Sequence, residues 1–409
     1  MQAPARENAR AGLVAAYALA YAAMWLALLT PVIVTLSLRI QRIAPRTAPD
    51  DLSLVLGVGA LVALISNPVF GYLSDRTRSR FGQRKPWLVG GMVGGLVALA
   101  LIGSATTVPM VLIGWCLAQL AFNAALAAMM AVLPDYVPVR QRGTVSGLLG
   151  VCIPAGQIAG TFIVQELAGN MLLALLVPAT IGLIAVLWLT FVLPDASPWQ
   201  LMEASSEPTA RSALPSIRRH PDFQWAWLSR VFFVMGAAFL TAYQPLFLID
   251  ALSIDVRDVP HLIFRSTLVH SGMLALWSLI AGWLSDSTGR RKFFVFVGAA
   301  LQAVGLCLIA TADSYSTFIA AVALTGTGHG IYVGVDLALV TEVLPDQRRD
   351  AARDLGILNI TNTLPQVIAP AAAPFILGLT GGDYALLFIA AGCAASLGSL
   401  FILPLRNVR

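Results

Sequence analysis

Long apolar stretches alternate with short polar, arginine-bearing ones from one end of this chain to the other. A helix rising 1.5 Å per residue needs roughly 20 apolar residues to cross the hydrocarbon core of a bilayer. On that rule the pattern predicts six spans at residues 13–38, 53–74, 87–107, 109–133, 144–168 and 171–193. Six more follow at 224–250, 260–285, 293–312, 315–343, 355–379 and 383–405. Residues 194–223 between the two sets are polar and hold Pro194, Pro198, Pro208 and Pro215. The chain is therefore read as an all-α membrane protein: a bundle over 1–193, a cytoplasmic linker over 194–223 and a second bundle over 224–409.

The two bundles share one register. Gly71-Tyr72-Leu73-Ser74-Asp75 returns 211 positions later as Gly282-Trp283-Leu284-Ser285-Asp286. At the same offset Val132-Leu133-Pro134-Asp135 returns as Val343-Leu344-Pro345-Asp346, and Pro154 maps onto Pro365. Matches spread along the chain without drift indicate duplication of one six-helix unit. In a membrane that architecture goes with alternating access.

Composition narrows the class. Charged residues are only 11% of the 409 and apolar ones 58%, with a mean hydropathy of +0.79. Soluble domains carry about 25% charge, so a soluble fold is excluded. The net charge of +5 lies in short loops, which speaks for orientation rather than nucleic-acid binding. With both termini in the cytoplasm, 21 basic residues fall on the inner side against 5 outside, as expected for a protein of the cell (inner) membrane. That count takes Arg230 as opening span 7 from the inner side, while Arg39, Arg42 and Arg46 depart from the rule. Residues 1–12 show no cleavable leader. Cys116, Cys152, Cys307 and Cys393 lie in apolar segments without metal spacing, so no metal or cofactor is expected. No nucleophile motif or nucleotide loop points to an enzyme. The expected partners are the bilayer and a small-molecule substrate, with protons as the coupling ion and the chain a monomer.

The loop after span 2 reads Gly71-Tyr-Leu-Ser-Asp75-Arg76-Thr-Arg-Ser-Arg80-Phe-Gly82-Gln-Arg84-Lys85-Pro86-Trp87. It resembles the loop between helices 2 and 3 of the major facilitator superfamily, in the form found in glycoside–cation and sucrose–proton symporters. The second copy, Asp286-Ser-Thr-Gly289-Arg290-Arg291-Lys292, resembles the general superfamily motif. The resemblance implies two pseudo-symmetric six-helix bundles rocking about a central site, and a cytoplasmic gate. Residues matching the gate are Gly71, Asp75, Arg76 and Arg84, then Asp135 with Arg142, and in the second copy Asp286, Arg290 and Asp346. In that reading Asp75 accepts charge-assisted bonds from Arg76 or a neighbouring helix end. The acidic residues that glycoside–sodium symporters carry in spans 2 and 4 are missing here, which argues against a sodium site.

Polar side chains at membrane depth are expensive and nominate the site. Tyr17, Tyr21 and Trp25 share one face of span 1, suited to stacking on a sugar ring or a flat drug. Gln119 and Asn123 in span 4, Gln157 in span 5, Tyr243 and Gln244 in span 7, and Asn359, Asn362 and Gln366 in span 11 suit hydroxylated neutral solutes. Each could instead bond across helices. One carboxylate is deep: Asp336, nine residues before Pro345 and so about 13 Å inside. It shares a face of span 10 with His329 and Tyr332, and burial favours the protonated form of a carboxyl group. Asp336 is thus the candidate proton carrier, with His329 and His270 beside it. The expected function is proton-coupled symport of a small neutral polar solute such as a sugar. Export of drug-like molecules past Met24, Met129, Met130 and Met273, and lipid or lysolipid transport, are the alternatives.

Overall fold

A computed structural model describes residues 11–194, 221–343 and 351–405. Asp346 lies outside them, as does most of the proposed linker. The described chain forms twelve helices. In the first half these are α1 (Ala11–Ile43), α2 (Ala48–Arg76), α3 (Lys85–Ser104), α4 (Val108–Tyr136), α5 (Val139–Glu166) and α6 (Met171–Val192). In the second half they are α7 (Pro221–Ala251), α8 (Val259–Thr288), α9 (Arg291–Ala310), α10 (Tyr315–Val343), α11 (Ala351–Thr380) and α12 (Tyr384–Leu400). Eleven are long and apolar enough to cross a membrane, and α12 is a shorter apolar helix. The chain is a multi-pass membrane protein, as its hydropathy pattern requires.

Two compact units emerge. One comprises Met1–Pro45 with Val58–Thr209, the other Arg46–Gly57 with Ala210–Arg409. The first turns of α2 therefore belong to the second unit, where Ser53 and the buried Tyr243 share a hydroxyl–hydroxyl hydrogen bond of 2.5 Å. Packing repeats between the units. In the first, α1 packs on α5 and α6, and α3 on α4 and α6; in the second, α7 packs on α11 and α12, and α9 on α10 and α12.

Helices α1 and α7 each widen near their ends into a π stretch, Pro31–Thr35 and Phe247–Ala251. A proline sits at or just before each widening, at Pro31 and Pro245. Its ring cannot donate and crowds the preceding turn, so the ladder shifts from i−4 to i−5 acceptors. Leu36 N–H accordingly donates to the Pro31 carbonyl, and Leu252 N–H to that of Phe247.

Two of the three arginines that break the charge rule have a local use. Arg39 donates to the carbonyl of Ala105, just past α3, and Arg42 to that of Ala168, just past α5. Helix C-termini leave carbonyls unpaired and carry partial negative charge, which guanidinium groups satisfy.

Candidate functional site

In the second unit, glycine sets the spacing on which the site is built. A Cβ on Gly326, Gly330 or Gly334 of α10 would lie 2.6, 2.5 or 2.4 Å from the carbonyl oxygens of His270, Leu274 and Ser278 on α8. Only hydrogen fits there, so α8 and α10 touch backbone to backbone. The close approach brings His270 and His329 together, their rings 5.4 Å apart. One turn on, Tyr332 stacks on Phe233 of α7, centroids 3.6 Å apart and planes within 7°.

Asp336, buried at the end of this row, forms an ion pair and hydrogen bond with Arg230 of α7. Arg230 also reaches Asn362 Oδ1 of α11 at 3.4 Å. Arg230 lies nine residues past Pro221, the first described residue of α7, about 13 Å along the helix axis. A guanidinium, a carboxylate, an amide, a phenol and two imidazoles from four helices thus lie near one another. The Tyr332 hydroxyl and His329 Nδ1 are buried without a hydrogen-bond partner among the described residues. The deep carboxylate found from sequence is here; its cation partner was missed.

Other nominated residues of this unit are scattered. Gln244 Oε1 accepts from Ser266 at 3.4 Å, while Gln366 is exposed and donates to the Asn362 carbonyl at 3.1 Å. The side chain of Asn359 lies outside the described ones.

The first unit keeps its buried centre uncharged. Tyr17, Tyr21 and Trp25 stack edge to face down α1, with centroids 6.2 and 6.1 Å apart. The Tyr17 hydroxyl donates to the Met129 carbonyl at 3.0 Å. Asn123 donates to Gln119 Oε1 (3.2 Å) and accepts from Asn67 of α2 (3.3 Å), so this amide pair bridges α4 and α2. Gln157 is half-buried on α5.

Charge in this unit gathers at the loop between α2 and α3. Gly82 there has φ +89°, a left-handed turn that glycine adopts without strain. It returns the chain so that buried Arg84 donates to Asp75 (2.6 Å), Asp135 (2.8 Å) and Ser74 (2.9 Å). Burial alone would lower the Arg84 pKa; the Asp135 and Asp75 carboxylates outweigh it and hold the guanidinium above its ordinary range. Arg76, expected to pair with Asp75, stacks instead over the Tyr72 ring at 4.2 Å. Arg142 donates to the carbonyls of Val137 and Pro134 at the end of α4. Gly71 has open space beside it. In the second copy Gly289 is again left-handed, at φ +65°. Asp286 there meets Arg291 at 3.7 Å, rather than the exposed Arg290.

Comparison with known proteins agrees with this architecture. The family model for the Major Facilitator Superfamily matches residues 13–267 and 266–409. A cis,cis-muconate transport protein of Acinetobacter baylyi is 26% identical over 291 residues, 68% of this chain and 67% of that protein. Among solved structures, the nucleoside transporter NupG (D323A mutant) superposes with a TM-score of 0.75 at 12% identity, covering 96% of this chain and 99% of that one. A D-xylose-proton symporter gives 0.72 at 16% identity, covering 97% and 98%.

Proposed function

The chain belongs to the major facilitator superfamily and is a transporter; we propose that it is a proton-coupled secondary transporter of a small organic solute bearing a carboxylate. The observation that carries this reading is the Arg230–Asp336 pair inside the second unit. An arginine at membrane depth costs several kcal/mol unless an anion answers it, and a neutral sugar has no use for that cation. If Asp336 takes a proton, Arg230 is left wanting a counter-charge, and a substrate carboxylate supplies it bidentately. Proton and anion then enter together, each proton on Asp336 matched by one substrate carboxylate on Arg230. Tyr332, His329 and Asn362 surround the pair with donors and acceptors for the rest of the solute. The transporter of cis,cis-muconate, a dicarboxylate, supports the same substrate class.

In this reading the two bundles rock to expose the site to each side in turn, and both termini face the cytoplasm, as the arginine distribution favours. The amides of the first unit pointed to neutral solutes; Asn67, Gln119 and Asn123 largely answer one another, which weakens that case.

The test is uptake by proteoliposomes under an imposed pH gradient, comparing labelled cis,cis-muconate with D-xylose. Muconate should accumulate and xylose should not, and Arg230→Gln should cut muconate uptake about 100-fold. Gradient-driven accumulation of xylose without that of muconate would overturn the assignment.

A further inference from the structure

The first unit carries a cavity of its own. An open groove of about 740 Å³ runs along α3 and α4, lined by Gly90, Gly94, Val97, Leu117 and Leu120 and closed at one end by Phe70 and Trp87. Its lining is apolar, and nothing lies within 4 Å of a Cβ built on Gly90. At the Trp87 end the character changes. The indole N–H donates to Thr77 Oγ1 at 2.8 Å. Thr77 in turn lines a polar pocket of about 510 Å³ with Asp75, Arg76, Arg78 and Gln83. Asp75 is paired with Arg84 at 2.6 Å, and Arg76 and Arg78, both exposed, bring two further positive charges that leave the pocket cationic.

We infer that groove and pocket together form a binding site for one anionic phospholipid of the bilayer, an acyl chain along Gly90 and Gly94 and the phosphate on Arg76 and Arg78. Groove and pocket share no lining residue, but the Trp87–Thr77 hydrogen bond joins them, and the passage from apolar to cationic across that join matches an amphiphile with a single anionic head. The helix of a second copy would instead need apolar lining along its whole length. Depth agrees as well: α3 begins at Lys85, so Trp87 sits in its first turn, at the interface level that tryptophan favours. A lipid there would brace the loop that carries Arg84, because Trp87, Thr77, Asp75 and Arg84 are linked through successive bonds and neighbours. The site is independent of the substrate reading.

The experiment is native mass spectrometry of the delipidated full chain, titrated with phosphatidylglycerol or with phosphatidylcholine of the same acyl chains. One phosphatidylglycerol should be retained about tenfold more tightly than phosphatidylcholine. Arg76→Gln with Arg78→Gln should weaken phosphatidylglycerol about tenfold, to the level of phosphatidylcholine, and leave phosphatidylcholine unchanged. Gly90→Phe, which fills the open groove, should weaken both lipids, while Gly90→Ala should weaken neither and so controls for folding. Equal retention of the two lipids, indifference to Gly90→Phe, or a lipid-independent dimer abolished by Gly90→Phe would each overturn the proposal.

Discussion

The two units are copies of one bundle, yet they resolve the same helix contact in opposite ways. Positions 115, 119 and 123 of α4 are Trp, Gln and Asn; their mates 211 residues on in α10 are Gly326, Gly330 and Gly334. Across the contact the sizes reverse at two of three positions: Gly59 and Ala63 of α2 correspond to His270 and Leu274 of α8, whereas Asn67 corresponds to the smaller Ser278. In the first unit large groups on α4 lean over small ones on α2, as Trp115 does over Gly59. In the second unit the bulk has moved to α8 and the backbones close up. Charge follows the same split. The first unit places its ion pairs in the loop, around Arg84, and has Leu19 and Ala125 where the second has Arg230 and Asp336. Duplication supplied one scaffold; exchange of bulk and charge between matched positions made one half charged at depth and left the other neutral.

The sharpest way to break that comparison is to remove one member of the deep pair. Arg230→Gln or Asp336→Asn alone should cost about 3–5 kcal/mol, read as a large fall in thermal unfolding temperature in detergent. The double change Arg230→Met with Asp336→Leu should recover most of that stability but no gradient-driven uptake. If a single substitution is silent, the pair is not the feature that separates the halves.

Next comes the glycine contact. Gly330→Ala sets a Cβ 2.5 Å from the Leu274 carbonyl oxygen and 2.9 Å from its Cα, both backbone atoms. The helices must part, at about 2–3 kcal/mol. Its mate Gln119→Ala only forfeits a hydrogen bond, about 1 kcal/mol. Equal losses, measured side by side, would show that the swap of bulk carries no weight.

A smaller effect is expected at the loop. Arg84→Gln should lower stability by about 2 kcal/mol, discounted because Asp75 is 64% exposed. Because folding raises the Arg84 pKa, its contribution is complete below the ordinary guanidinium range and is lost only as pH climbs above it. The smallest change is Arg291→Gln, within about 0.5 kcal/mol, since its partner Asp286 is 73% exposed and 3.7 Å away. A larger loss at Arg291 than at Arg84 would reverse the assignment of the tight loop to the first unit.

Much of this architecture could be read from the amino acids. Helix count, repeat and the burial of Asp336 follow from hydropathy and a fixed offset, because a bilayer forces every span to announce itself. The loop motif led to Arg84 and Asp75, since left-handed glycines at 82 and 289 keep the motif's geometry. What stayed hidden depends on contacts between distant positions. Arg230 and Asp336 are 106 residues apart, and Arg230 looked like a flanking charge because its helix begins earlier than the apolar run does. Asn123 looked like a solute ligand, although it faces Asn67 on a neighbouring helix. The second loop is four residues shorter between its aspartate and its glycine than the first, yet Arg291 stands two residues past Gly289 as Arg84 stands two past Gly82, so the pairing falls to Arg291 rather than Arg290.

The widened turns at Pro31–Thr35 and Phe247–Ala251 have a further consequence. Each holds one surplus residue relative to an ordinary helix, so everything beyond it is turned by about 100°. Excising a single residue from such a turn should let the coil tighten and absorb the loss with its far end slightly re-aimed. The same excision between Tyr17 and Trp25 has no slack to draw on and would swing the aromatic row off its face. Helices 1 and 7 thus carry their own tolerance for length, and natural insertions or deletions should collect there.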